Sequence, residues 1–65
     1  MVITVKNLIK VEKAERLMSG QPTLSYYFEQ LTGNSWELKH EEERAKALRE
    51  VARYFDQESI KYTVE

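Results

Sequence analysis

The chain has 65 residues, no cysteine, one histidine and a formal net charge of −1, with 42% hydrophobic and 32% charged residues. That length suits one domain, residues 1–65; the missing cysteines exclude a disulfide framework and thiolate metal sites, and a lone histidine excludes multi-histidine centres. The near-zero charge gives no general pull toward nucleic acid or anionic lipid, and no apolar run approaches the ~20 residues of a membrane span. A soluble, cytoplasmic protein without a cofactor is expected.

Residues 1–6 alternate, with Met1, Ile3 and Val5 on one side and Val2, Thr4 and Lys6 on the other. Period two with β-branched residues predicts a strand. From Leu8 to Met18 the period changes, and Val11, Ala14, Leu17 and Met18 fall on one helical stripe while Lys10, Glu12, Lys13, Glu15 and Arg16 face out. Asn7 is the expected N-cap of this helix, and Ser19-Gly20 followed by Pro22 is the expected stop.

Residues 23–39 admit two readings. As a helix, Leu24, Tyr27, Phe28 and Leu31 form a stripe between Thr23 and Gly33, and Asn34 with Glu37 forms a capping box for the next element. As a hairpin, Leu24, Tyr26 and Phe28 alternate inward over residues 24–30. The turn then falls at Thr32-Gly33-Asn34, and Trp36 and Leu38 alternate inward over residues 35–39. Two arguments favour the hairpin. A helix begun at Trp36 would carry six successive polar residues from Lys39 to Arg44, whereas one begun near His40 puts Glu41, Glu42 and Glu43 in its first turn, where the helix dipole favours them. Tyr-Tyr-Phe and Trp also prefer a pleated surface.

From about residue 41 to 57 a helix is expected, with Ala45, Leu48, Ala52 and Phe55 as its seam and Val51 beside it. Residues 59–65 alternate again, Ile60, Tyr62 and Val64 against Ser59, Lys61, Thr63 and Glu65. The element order β-α-β-β-α-β predicts an α+β fold, a small split ferredoxin-like sheet with two helices on one face. The alternative is a mostly helical chain with its N- and C-terminal strands paired.

The chemistry-bearing residues are sparse. His40 beside Glu37 and Glu43 makes a weak metal or general-base signal and reads better as a surface residue at a helix start. Gly20 and Gly33 are isolated turn glycines, so no phosphate loop is present. Asp56 and the glutamates are spread along element exteriors without the convergence that paired-carboxylate catalysis needs.

The aromatics carry more. If Tyr26 and Phe28 enter the core, Tyr27 lies on the open sheet face with Val2, Thr4, Lys6, Leu31, Lys39, Lys61 and Thr63, and Tyr54 is left on the last helix beside Ala47 and Val51. A staple-free chain of this size buries only about 60% of its unfolded surface, so further burial against a partner is expected. The expectation is a non-enzymatic regulatory or adaptor protein that binds another protein and pairs with itself, through Val2, Tyr27 and Leu31 or through Val51 and Tyr54. The alternative is a single-stranded nucleic-acid module in which Tyr27 stacks a base while Lys6, Lys39 and Lys61 meet phosphates. Glu29 and Glu37 share that face and oppose it.

Overall fold

A computed structural model describes all residues from Met1 to Glu65. The chain is a small α+β fold, with four antiparallel strands in one sheet and three helices packed on one side of it. In chain order, β1 is Val2–Val5, α1 Val11–Gly20, α2 Pro22–Tyr27, β2 Phe28–Thr32, β3 Ser35–Leu38, α3 Arg44–Gln57 and β4 Tyr62–Val64. Short 3-10 turns at Leu8–Lys10 and Glu41–Glu43 lead into α1 and α3. The sheet order is β2-β3-β1-β4, so β1 lies between β3 and β4.

The register puts Ile3 opposite both Trp36 and Val64, and Val5 opposite Tyr62. Directly opposed residues share a face, so the alternation read in β1, β3 and β4 is the alternation of the sheet itself. Ile3, Val5, Phe28, Trp36 and Leu38 join Ala14, Met18, Leu24, Ala47, Val51, Phe55 and Ile60 in one buried cluster. No buried side-chain nitrogen or oxygen lacks a partner.

Residues 23–39 satisfy neither expectation whole. Leu24 to Tyr27 are helical, in α2, and the hairpin begins only at Phe28, four residues later than expected. Gln21 is extended at φ −90° and ψ 120°, as a residue before proline must be, and Pro22 then supplies a preset φ for a helix start. This places the break after α1 at Gln21, while Gly20 remains helical. One turn of helix suffices to bury Leu24 completely, and the Phe28 N–H closes it on the Leu24 carbonyl. Pairing takes over at once, because Lys39 N–H already bonds to Tyr27 O at 2.7 Å. Packing of Leu24 thus outweighs the pleated preference of Tyr26 and Tyr27. Tyr26, expected in the core, is 51% exposed.

The hairpin turns at Gly33-Asn34 with neither residue at positive φ. It therefore lacks the primed turn whose twist matches the strands. A bulge compensates, setting Leu31 and Thr32 against the single residue Ser35.

The seam of α3 is rotated from the expected one. Ala47, Val51 and Phe55 are fully buried, with Leu48 and Tyr54 packed on the flanks, while Ala45 is exposed. A face centred on Val51 and Phe55 and flanked by Leu48 and Tyr54 buries more apolar area than one carrying Ala45 and Ala52. Val51 is therefore core and cannot be a surface contact. The C-terminus of α3 closes with Ser59 at φ 57°, Ser59 N–H on Asp56 O and Ile60 N–H on Phe55 O. These are the paired bonds of a Schellman cap, with buried Ile60 and Phe55 as its apolar contact.

Candidate interaction surface

The sheet face away from the helices is organised in rows. In the first, Glu29 lies opposite Glu37, Glu37 opposite Val2, and Val2 exchanges main-chain bonds with Glu65. In the second, Thr32, Ser35, Thr4 and Thr63 face one another across all four strands. In the third, Lys6 bonds to Lys61 through the main chain, which sets the two lysines opposite each other. The face is thus acidic at one end, hydroxylated in the middle and basic at the other. Glu29 against Glu37 is a directly opposed like-charge pair, which weakens a sheet.

Of the expected contact residues, Val2 and Leu31 do lie on this face, and Leu31 is 55% exposed beside the bulge. Tyr27 does not. It ends α2 and packs partly against the core, forming an edge-to-face pair with Tyr26 at 5.0 Å. Tyr54 packs partly against the core from α3, with Arg53 5.4 Å from its ring centre. Lys6 and Lys61 come together, but Lys39 lies at the acidic end and donates to Ser25 O at 2.9 Å, capping the last turn of α2. The structure therefore separates Lys6 and Lys61 from Lys39 and Tyr27, and the four do not form one platform.

His40 stacks on Tyr26, and its Nδ1 stands 3.7 Å from a Glu42 oxygen. Tyr26 donates to Glu43 at 3.3 Å. The Glu43 charge, then burial, raises the Tyr26 pKa; burial first, then Glu43 and Glu50, raises that of Tyr27. No three His, Cys, Asp or Glu side chains gather as a metal site would require. The one concavity, of about 290 Å³, lies elsewhere, under the β2 edge among Glu15, Met18, Ser19, Phe28, Gln30 and Trp36. Gln30 donates to Glu15 at 3.0 Å from its two sides.

The most exposed apolar residues are ones that periodicity alone misses. Leu8 is 75% and Ile9 90% exposed, adjacent on the 3-10 turn after β1. Asn7 fixes that turn, but not as a helix cap. Its amide donates to Ser59 O at 3.1 Å and accepts from Lys61 N–H at 2.9 Å, clasping the chain that leads into β4. Leu8 and Ile9 fit neither the strand period before them nor the helical stripe after them, and that misfit is the signal that marks them.

No helix is long and apolar enough to cross a membrane. Compared with protein families, with curated proteins and with solved structures, the chain finds no match in any of the three.

Proposed function

We propose that this chain is a non-enzymatic binding module of the cytoplasm, regulatory or adaptor in kind, that works by contact with another protein and by pairing with a second copy of itself. Its fold is read as the split β-α-β-β-α-β, ferredoxin-like arrangement. The sheet order, the antiparallel pairing on both sides of β1 and the helices on a single face support that reading, with α2 as an addition ahead of β2.

The observation that carries the function is the Leu8–Ile9 pair. Two large aliphatic side chains contribute nothing to the core where they stand, yet the turn beneath them is held by the Asn7 clasp. Apolar groups preorganised in this way bind with little ordering cost, and full burial of each is worth about 1.5–3 kcal/mol. The titratable cluster of Tyr26, His40, Glu42 and Glu43 does not line the concavity, which favours binding over catalysis.

Sedimentation tests this directly. At about 100 µM the chain of 7.7 kDa should show twice that mass. Replacing Leu8 and Ile9 together with serine should leave both that mass and the melting temperature unchanged, because this exposed pair is the surface for the other protein. A monomer at that concentration removes self-association, and a dimer weakened by the double replacement removes the assignment of Leu8–Ile9 to a different protein.

A further inference from the structure

The outer edge of β4 carries the information for its own partner. Bonded and non-bonded residue pairs alternate along an antiparallel ladder. Val2 and Glu65 exchange main-chain bonds of 2.8 and 2.9 Å, and Lys6 N–H reaches Lys61 O at 2.8 Å. With Thr4 opposite Thr63 between them, the main-chain groups of Lys61, Thr63 and Glu65 point toward β1. Those of Tyr62 and Val64 therefore point outward, along a free edge.

We propose that two copies of this chain join through β4, antiparallel, about a two-fold axis at Thr63, to make one continuous eight-stranded sheet. The inference rests on the self-association proposed above and assigns its surface. Centred on Thr63, Tyr62 of each copy stands opposite Val64 of the other, and the outward groups of both residues meet in bonded pairs, four N–H···O bonds in all. On the helix side of the sheet this sets a tyrosine ring against a β-branched side chain, a favourable cross-strand combination. On the open face it sets Lys61 of each copy opposite Glu65 of the other, twice. Neither side chain has an ion-pair partner within its own chain.

The register is specific. A slip of one residue turns outward groups against inward ones and loses the bonds. A slip of two sets Lys61 or Glu65 against Thr63, according to its direction, and abandons both ion pairs. The charge pattern of the whole face agrees. Lys6 and Lys61 crowd one end of the sheet while Glu29, Glu37 and Glu65 crowd the other, and the two-fold axis lays the basic end of one copy beside the acidic end of its mate.

The opposite edge has none of this complementarity. The outward groups of β2 belong to Phe28 and Gln30, so a symmetric pairing that matches the two would centre on Glu29 and oppose it to itself. Phe28 N–H is already bonded to Leu24 O, and the bulge at Leu31–Thr32 interrupts the ladder.

The experiment is a charge-reversal set measured by sedimentation equilibrium of the full chain, with circular-dichroism melts showing that each variant is folded. Lys61→Glu sets two carboxylates against each other across the axis, and Glu65→Lys sets two ammonium groups against each other. Each should weaken the dimer about tenfold. The double variant Lys61→Glu/Glu65→Lys restores opposite charges and should recover the original dissociation constant within about threefold. A mixture of the two single variants should form a heterodimer tighter than either homodimer. Amide exchange supplies a second readout, because the outward N–H groups of Tyr62 and Val64 should become protected as concentration rises. A dimer whose dissociation constant ignores the single variants, with Tyr62 and Val64 amides unprotected, overturns the β4 pairing and leaves self-association standing. A wild-type monomer at about 100 µM overturns both.

Discussion

The imidazole of His40 lies flat on the ring of Tyr26, centroids 4.4 Å apart and planes 15° from parallel. The stack ties α2 to the turn that starts α3, and Glu43 completes it by accepting the Tyr26 hydroxyl.

That carboxylate makes the contact sensitive to alkali. Tyr26, Tyr27 and Tyr62 all keep their protons above the ordinary 10.0, Tyr26 chiefly through Glu43, the other two chiefly through burial. The folded chain then holds protons that the unfolded chain releases. The stabilisation is complete below about pH 10 and is lost as pH rises through the folded values. Melting temperature should stay level from about pH 7 to 9 and fall beyond about 10. Tyr26→Phe keeps the stack but removes one ionising hydroxyl, so its fall should be shallower; an identical alkaline profile would show that Glu43 does not act on Tyr26.

Asn7 offers a test of clasp against cap. Serine is a good N-cap but cannot span Ser59 O and Lys61 N–H together. Asn7→Ser should therefore cost about 1–2 kcal/mol in urea denaturation, the worth of two hydrogen bonds. A cap alone would make this exchange nearly neutral.

Two backbone positions should yield stability. Ser59 occupies the left-handed region, where a side chain costs about 1–2 kcal/mol, so Ser59→Gly should raise the unfolding free energy by about 1 kcal/mol. Gly20 is helical, and a methyl group there meets nothing within 4 Å, so Gly20→Ala should add about 0.5–1 kcal/mol. A loss at either position, read from the denaturation midpoint, would contradict the local geometry.

The rotated seam of α3 is checked by a pair of replacements. Val51→Ala should cost about 2 kcal/mol through lost burial and a residual cavity, whereas Ala45→Glu should change stability by less than about 0.5 kcal/mol. The reverse ranking would restore the seam expected from the sequence.

Legibility follows the reach of periodicity. The strands at both ends announce their buried faces because Ile3 and Val5 alternate with Thr4 and Lys6, and Tyr62 stands between Lys61 and Thr63, and the same parity places Val2 and Leu31 on the open face. The position of the turn at Gly33-Asn34 is equally plain. The helix α2 is not, since six residues hold less than two turns and Tyr26-Tyr27 carry a strand preference that only the packing of Leu24 overrides. In α3 the period is legible and its phase is not, because alanine is compatible with either face, and Ala45 and Ala52 take the place in the pattern that belongs to Val51. Asn7 misleads for a different reason. Its partners lie 52 and 54 residues away, beyond any local pattern.

The bulge at Leu31–Thr32 decides the size of what can be assembled. A sheet with two usable edges is a divalent unit, and divalent units chain head to tail into fibres. In the proposed β4 pairing, with β2 interrupted by the bulge and its Glu29 set against that of another copy, the sheet has a valence of one. The β4 edge, occupied in that pairing, leaves nothing for a third copy to extend, so rising concentration should saturate a dimer and not build a fibre.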